Sequence, residues 1–305
     1  MLQELLDNGS ERTDRTGVGT NALFGRTLRF NLQEGFPVLT TKRIFWKTAF
    51  KEILWMLGCK DTNPSMTVEG AAVSTTRLRV LLEQNVHIWS EWPHAKYVKE
   101  TGDNISLKDF EDRVLNDDAF DSSWGSLGPV YGKQWRAWST EDGRSIDQVS
   151  EVISMLKNDP YGRRILWDGW NVADIYAGKM ALPPCHKQYQ FFVNPETNTL
   201  SGACVQRSAD AFLGLGFNLA NLALVTSLLA EQTGYVPGEI VWFGLDTHLY
   251  LNHVEQAREQ LARTPREFPK LIIKSKPDSL FGYSIDDLDL EGYDPYPAIK
   301  AQVAV

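Results

Sequence analysis

The chain has 305 residues, a formal charge of −8, 43% hydrophobic content and ten tryptophans, ample for a packed core. The acidic balance argues against nucleic acid as the main ligand, so an anionic substrate would need a local basic pocket. No apolar run is long enough to span a bilayer, so no membrane partner is expected. With no linker, charge block or fixed-period repeat, residues 1–305 read as a single domain. The N-terminus lacks the basic start and apolar stretch of a signal peptide. Three cysteines, Cys59, Cys185 and Cys204, form an odd set without metal-ligand spacing, which predicts no metal and a reducing cytoplasm.

Residues 44–57 predict an amphipathic helix, with Trp46, Ala49, Phe50, Ile53, Leu54 and Leu57 on one face. Glu52 falls at the margin of that face. A solvated glutamate fits such a place, and so does a carboxylate half inside an apolar rim, where its pKa would rise to suit acid–base work. Residues 64–76 are small, polar and aperiodic, and predict a loop; 93–124 form a charge-rich stretch. Residues 147–156 predict a helix with Ile146, Val149, Val152, Ile153 and Leu156 on one side. Residues 189–193 and 199–205 flank a turn-rich segment at 194–198 and read as a β-hairpin. Residues 218–232 form the most apolar helix, with leucines at 219, 222, 224, 228 and 229. Short strands follow at 240–243 and 270–274. Helices followed by a largely β second half indicate α/β or α+β.

The hairpin brings Cys185, at its entrance, toward Arg207. A guanidinium beside a thiol favours the nucleophilic thiolate. A buried structural cysteine is the competing reading for that residue taken alone. Cys59 has no reactive partner in view, and Cys204, though within the same hairpin as Arg207, matches no catalytic motif; both read as core.

A series of motifs extends over nearly the whole chain: RTGVGT at 15–20, FPVLTTKR at 36–43, GPVYGKQW at 128–135 and the pair Arg163-Arg164. LPPCH at 182–186, QRS at 206–208, FN at 217–218, DTHLY at 246–250 and IKAQVAV at 299–305 complete it. In these residues and their order the chain resembles the thymidylate synthase family. The resemblance implies a large mixed β-sheet flanked by helices, with one sheet face packed on its twin in a homodimer. It implies transfer of a one-carbon unit from 5,10-methylenetetrahydrofolate to C5 of deoxyuridylate (dUMP), in a bacterial or phage-infected host cytoplasm. The 64–76 segment resembles an insertion, and 93–124 the small extra subdomain of longer members.

Carried over motif by motif, the resemblance makes Cys185 the nucleophile that adds to C6 of uracil. Glu52, Tyr131 and His186 would form the hydrogen-bonded network that moves protons at C5 and O4. Arg15, Arg163, Arg164 and Arg207 would hold the phosphate, with Ser208 adding a hydroxyl and Gln206 beside them. The Arg163-Arg164 pair would reach across the dimer. Asn218 would read the base, its amide matching uracil's O4 and N3–H. His248 and Tyr250 would contact the deoxyribose hydroxyl. Trp89, Trp92, Asp210, Gly214 and Phe217 would hold the folate, and the Val305 carboxylate would close over the ligands.

The chain departs from the family's pattern at Val205, at Asp168-Gly169, at Leu245 within a Gly-Gly-Asp turn, and at Gln302 in the tail. Gly216 stands in place of proline, which would loosen the backbone that aims Asn218. Two other readings stay open. A deoxyuridylate hydroxymethylase would let water, rather than hydride, reach the C5 methylene and release tetrahydrofolate; a non-catalytic relative would bind nucleotide or RNA.

Overall fold

The computed structural model describes residues 1–14 and 16–303, so Arg15 and Val305 lie outside the described residues. A six-stranded sheet runs in the order Ser10–Arg12, Thr20–Asn31, Val236–Tyr250, Thr199–Asp210, His186–Asn194, Leu166–Asp168. The predicted hairpin lies within it, one strand in from the Leu166–Asp168 edge, pairing Tyr189 with Cys204 and Phe191 with Gly202. The register shifts between His186 and Gln188, an irregularity of the kind that re-aims neighbouring side chains. Thr199–Asp210 and Val236–Tyr250 run parallel. Parallel strands need a crossover, and the helix Leu215–Thr233 makes it. The sheet is therefore mixed and flanked by helices, as the resemblance implied.

The crossover helix is buried because its residues are almost all apolar: Leu219, Leu222, Leu224, Leu228 and Leu229 sit at 0–4% exposure. Trp46–Met56 packs against it and buries the predicted face. Trp55, Trp135, Trp167 and Trp242 join the same continuous core. Strand alternation turns Gly202, Cys204 and Gln206 inward, leaving Ser201, Ala203, Val205 and Arg207 half-buried on the other face. Phe24 and Phe192 are 78% and 65% exposed, so the sheet carries large apolar groups in solvent.

Several expectations need correction. Residues 64–76 are not a loop throughout: they contain the helix Val68–Ser74, capped by Thr67, whose side chain accepts from the Gly70 amide. Ala71 is buried, and the Ser74 carbonyl accepts from Trp55 Nε1 at 2.9 Å. The 93–124 stretch forms helices Glu91–Thr101, Leu107–Asn116 and Asp118–Trp124, and their Tyr97, Phe110 and Phe120 belong to the main core. Asp147 caps Gln148–Asn158 through the Ser150 amide, which leaves Ile146 outside the helix and exposed. Leu245 lies within the fifteen-residue strand Val236–Tyr250, not in a turn. No helix of the described residues is long and apolar enough to cross a membrane.

Candidate active site

Cys185 is half-buried at the mouth of the His186–Asn194 strand. Backbone bonds hold it on both sides. Its amide donates to Tyr131 Oη at 2.7 Å, and its carbonyl accepts from the Arg207 amide at 2.9 Å. The Arg207 side chain is anchored just as firmly, donating from Nε to the Pro184 carbonyl at 2.9 Å and from Nη2 to the Pro183 carbonyl at 2.8 Å. That grip leaves Nη2 3.8 Å from Cys185 Sγ. The two prolines ahead of the thiol thus supply the carbonyls that aim the guanidinium. The same guanidinium lies over the Trp170 ring, 5.2 Å from its centroid.

The other two thiols are set apart. Cys59 is fully buried and burial pushes its pKa up to about 12. Cys204 is 2% exposed and burial likewise pushes its thiol well up. Neither forms a thiolate at neutral pH, and both are core, as read from the sequence.

Glu52 turns inward instead of lying at a solvated margin. It is 8% exposed, and each carboxylate oxygen accepts one side-chain bond: Oε1 from Trp89 Nε1 at 2.8 Å, Oε2 from Asn221 Nδ2 at 3.0 Å. Burial raises its pKa, and these two bonds oppose the rise. Trp89 packs between Trp55 and Trp92, each 5.7 Å away, and lies 5.9 Å from Tyr131. The Trp92 indole N–H is buried without a partner among the described residues, so this aromatic shelf keeps a donor in reserve.

His186 is 2% exposed, and burial lowers its pKa to about 4, partly countered by the Asn218 side chain. The imidazole is therefore neutral at pH 7. Its Nδ1 lies 3.0 Å from Tyr189 Oη and its ring 5.6 Å from Tyr131. Burial also keeps the Tyr131 phenol protonated well above the usual range. Tyr131, His186 and Glu52 share one aromatic pocket without a direct bond from Glu52 to either of the other two.

Asn218 is half-buried near the start of the crossover helix, and its Oδ1 accepts from Gln206 Nε2 at 2.8 Å. Gln206 Oε1 accepts in turn from Trp242 Nε1 at 2.7 Å. This chain of bonds fixes which way round the Asn218 amide sits. Asp210 Oδ1 accepts from the Phe212 and Leu213 amides, so its turn leads into Gly214 and the helix bearing Phe217. His248 and Tyr250 stand together on the Val236–Tyr250 strand with rings 5.2 Å apart, and His248 Nδ1 lies 3.2 Å from Asp246. Ser208 is half-buried beside them, in register with Asp246. Arg163 and Arg164 do not join this cluster: both are exposed before the Leu166–Asp168 strand, and Arg163 lines a groove with Phe192, Ala203 and Val241.

Two residues escaped sequence reasoning. Asn221 has a signal in hindsight, an amide in an apolar helix one turn beyond Asn218. Lys42 lay within the FPVLTTKR motif without a role; it is 4% exposed, donates to the Phe212 carbonyl, and burial lowers its pKa to about 8 against the pull of Asp210.

Fold and site together define a mixed α/β protein whose half-exposed thiol faces an anchored guanidinium, with a buried carboxylate and an oriented amide nearby. The family model described as thymidylate synthase matches residues 1–305. The thymidylate synthase of Rhodopseudomonas palustris is 50% identical over 306 residues, covering 100% of this chain and 97% of that one. Those of Cereibacter sphaeroides and Sinorhizobium fredii are 48% and 47% identical, again over 100% of this chain and over 97% and 96% of theirs. The chain belongs to the thymidylate synthase family.

Proposed function

We propose that this protein makes thymidylate, methylating dUMP at C5 with 5,10-methylenetetrahydrofolate as one-carbon donor and reductant. The observation that carries the reading is the 3.8 Å approach of Arg207 Nη2 to Cys185 Sγ, with both other thiols buried. A thiolate there adds to C6 of uracil and makes C5 nucleophilic. C5 takes the one-carbon unit and loses its proton as the folate nitrogen leaves. The resulting methylene accepts hydride from the folate while the Cys185 thiolate departs from C6, leaving a methyl group, dihydrofolate and the free thiolate. Glu52, Tyr131 and His186 serve the proton movements. Their burial supports this, because proton transfer in a dry pocket avoids competition from bulk water.

Asn218 reads the base, and the Gln206–Trp242 relay favours one orientation of its amide, as selection of uracil over cytosine requires. Arg207 and Ser208 hold the phosphate, joined by Arg15; His248 and Tyr250 take the sugar. The Trp89–Trp92 shelf, with the spare Trp92 donor, and the Asp210–Phe217 turn fit the folate, under the Val305 carboxylate. Arg163 and Arg164 act across a homodimer built on the exposed sheet face, a role supported by Arg163 lining the groove beside Phe192. The hydroxymethylase and non-catalytic alternatives are not favoured.

The test is to incubate the protein with dUMP and 5,10-methylenetetrahydrofolate and identify both products. Thymidylate and dihydrofolate in equal amounts are expected. Hydroxymethyl-deoxyuridylate with tetrahydrofolate, or no product, would overturn the reading.

A further inference from the structure

We propose that Asn221 is a positioning residue for this reaction, holding the Glu52 carboxylate in the orientation that proton transfer uses. The proposal rests on the reading of Glu52 as a proton-transfer group. Glu52 comes from the Trp46–Met56 helix, Trp89 from the segment before Glu91–Thr101, and Asn221 from the crossover helix. Three separate elements therefore converge on one buried carboxylate, with one donor for each oxygen. Asn221 is 0% exposed and stands one helical turn after Asn218, on the same face. A single helix thus presents two amides to one pocket.

The other polar side chains buried in that helix behave differently. Thr226 and Ser227 donate to the Leu222 and Ala223 carbonyls of their own helix. Asn221 reaches another element, and it does so at a cost. Its Oδ1 is buried without a hydrogen-bond partner among the described residues. An orphaned buried acceptor is destabilising, and an apolar residue of similar size would remove it. The amide is not there for stability; its donor is what the site uses.

Two donors on a buried carboxylate fix both oxygens and favour the ionised form, while burial favours the protonated one. Tyr131 and Tyr189 are the other titratable groups coupled to Glu52, and burial keeps both protonated. The loss of the Asn221 donor would then fall on Glu52. One oxygen would be left bare, and ionisation would need a higher pH.

The experiment compares Asn221→Leu, Asn221→Asp and Glu52→Gln with the unmodified protein, measuring kcat, KM, the pH profile of kcat and equilibrium binding of dUMP. Asn221→Leu should lower kcat roughly 10- to 100-fold and move the acid limb up by about one pH unit, with dUMP binding within about twofold. Asn221→Asp keeps the size but replaces the donor with a like charge, so its limb should move further in the same direction. If the limb stays in place in either folded variant, Asn221 does not position Glu52. If instead Glu52→Gln leaves kcat within a few-fold of normal, the reading of Glu52 fails first, whatever the Asn221 variants do.

Discussion

His186 offers the sharpest quantitative test of the pocket. Its pKa of about 4 in the folded protein lies well below the roughly 6.5 of an unfolded histidine. The depressed value means that the unfolded chain takes up a proton which the native imidazole refuses. Stability from the neutral ring is therefore fully present above about pH 6.5 and falls away as the pH drops toward 4. Linkage puts the loss at about 2 kcal/mol at pH 5, with a ceiling of about 3 kcal/mol once both states are protonated. The comparison variant is His186→Asn, whose amide keeps a polar group near Tyr189 without titrating. Glu52 has the opposite sign, since its raised pKa favours the folded state at low pH, but it is present in both proteins and cancels.

The assay is urea denaturation at pH 7.5 and pH 5.0, followed by circular dichroism at fixed protein concentration. The unmodified protein should lose about 2 kcal/mol more than His186→Asn between the two pH values. Equal losses in the two proteins would refute the reasoning. So would a His186 imidazole resonance that titrates near pH 6.5, because the ring would then not be sealed from water.

Cys185→Ser should abolish turnover while nucleotide still binds, and Cys59→Ser and Cys204→Ser should retain substantial activity; normal turnover by the Cys185 variant would remove it as nucleophile. Asn218→Asp should weaken discrimination and admit deoxycytidylate in competition assays, since a carboxyl changes the pattern offered to N3 and the exocyclic group. Mixing an Arg163→Ala/Arg164→Ala chain with a Cys185→Ser chain should restore activity at one site of each heterodimer. Absence of complementation despite demonstrated subunit exchange would count against shared sites.

What the sequence revealed follows from how local each signal was. The Trp46–Met56 and Leu215–Thr233 helices and the 186–210 hairpin announce themselves because periodicity and turn residues sit within a short window. The Val68–Ser74 helix did not: seven small or polar residues show no apolar period, and its stability comes from a cap and from packing on the Tyr131–Ala137 helix. Cys185 and Arg207 could be paired on paper because a hairpin joins them. Glu52 could not be assigned, because helical phase says nothing about which distant residue covers a margin. Here Trp89 and Asn221 do so. Lys42 and Asn221 were passed over for the same reason, since their partners appear only when separate elements meet.

Each departure from the family's pattern has a defined setting in the structure. Gly216 is the second residue of the Leu215–Thr233 helix. Its φ is ordinary, and a Cβ there would come within 2.9 Å of Leu39 and 3.0 Å of Ile44, so the missing side chain lets those residues close on the helix. Asp168 accepts the Trp170 amide at 2.7 Å and pairs with Lys187 at 2.9 Å, steadying the ring beneath the Arg207 guanidinium. The Gln302 carbonyl meets His253 Nε2 at 2.7 Å. Val205 sits on the half-buried sheet face, and Leu245 inside a continuous strand. None of these contacts draws Glu52, Trp89 or Asn218 away from its partner. Trp89 is 4% exposed and tied to Glu52. The contacts that Glu52, Trp89 and Asn218 make are thus independent of the departed positions.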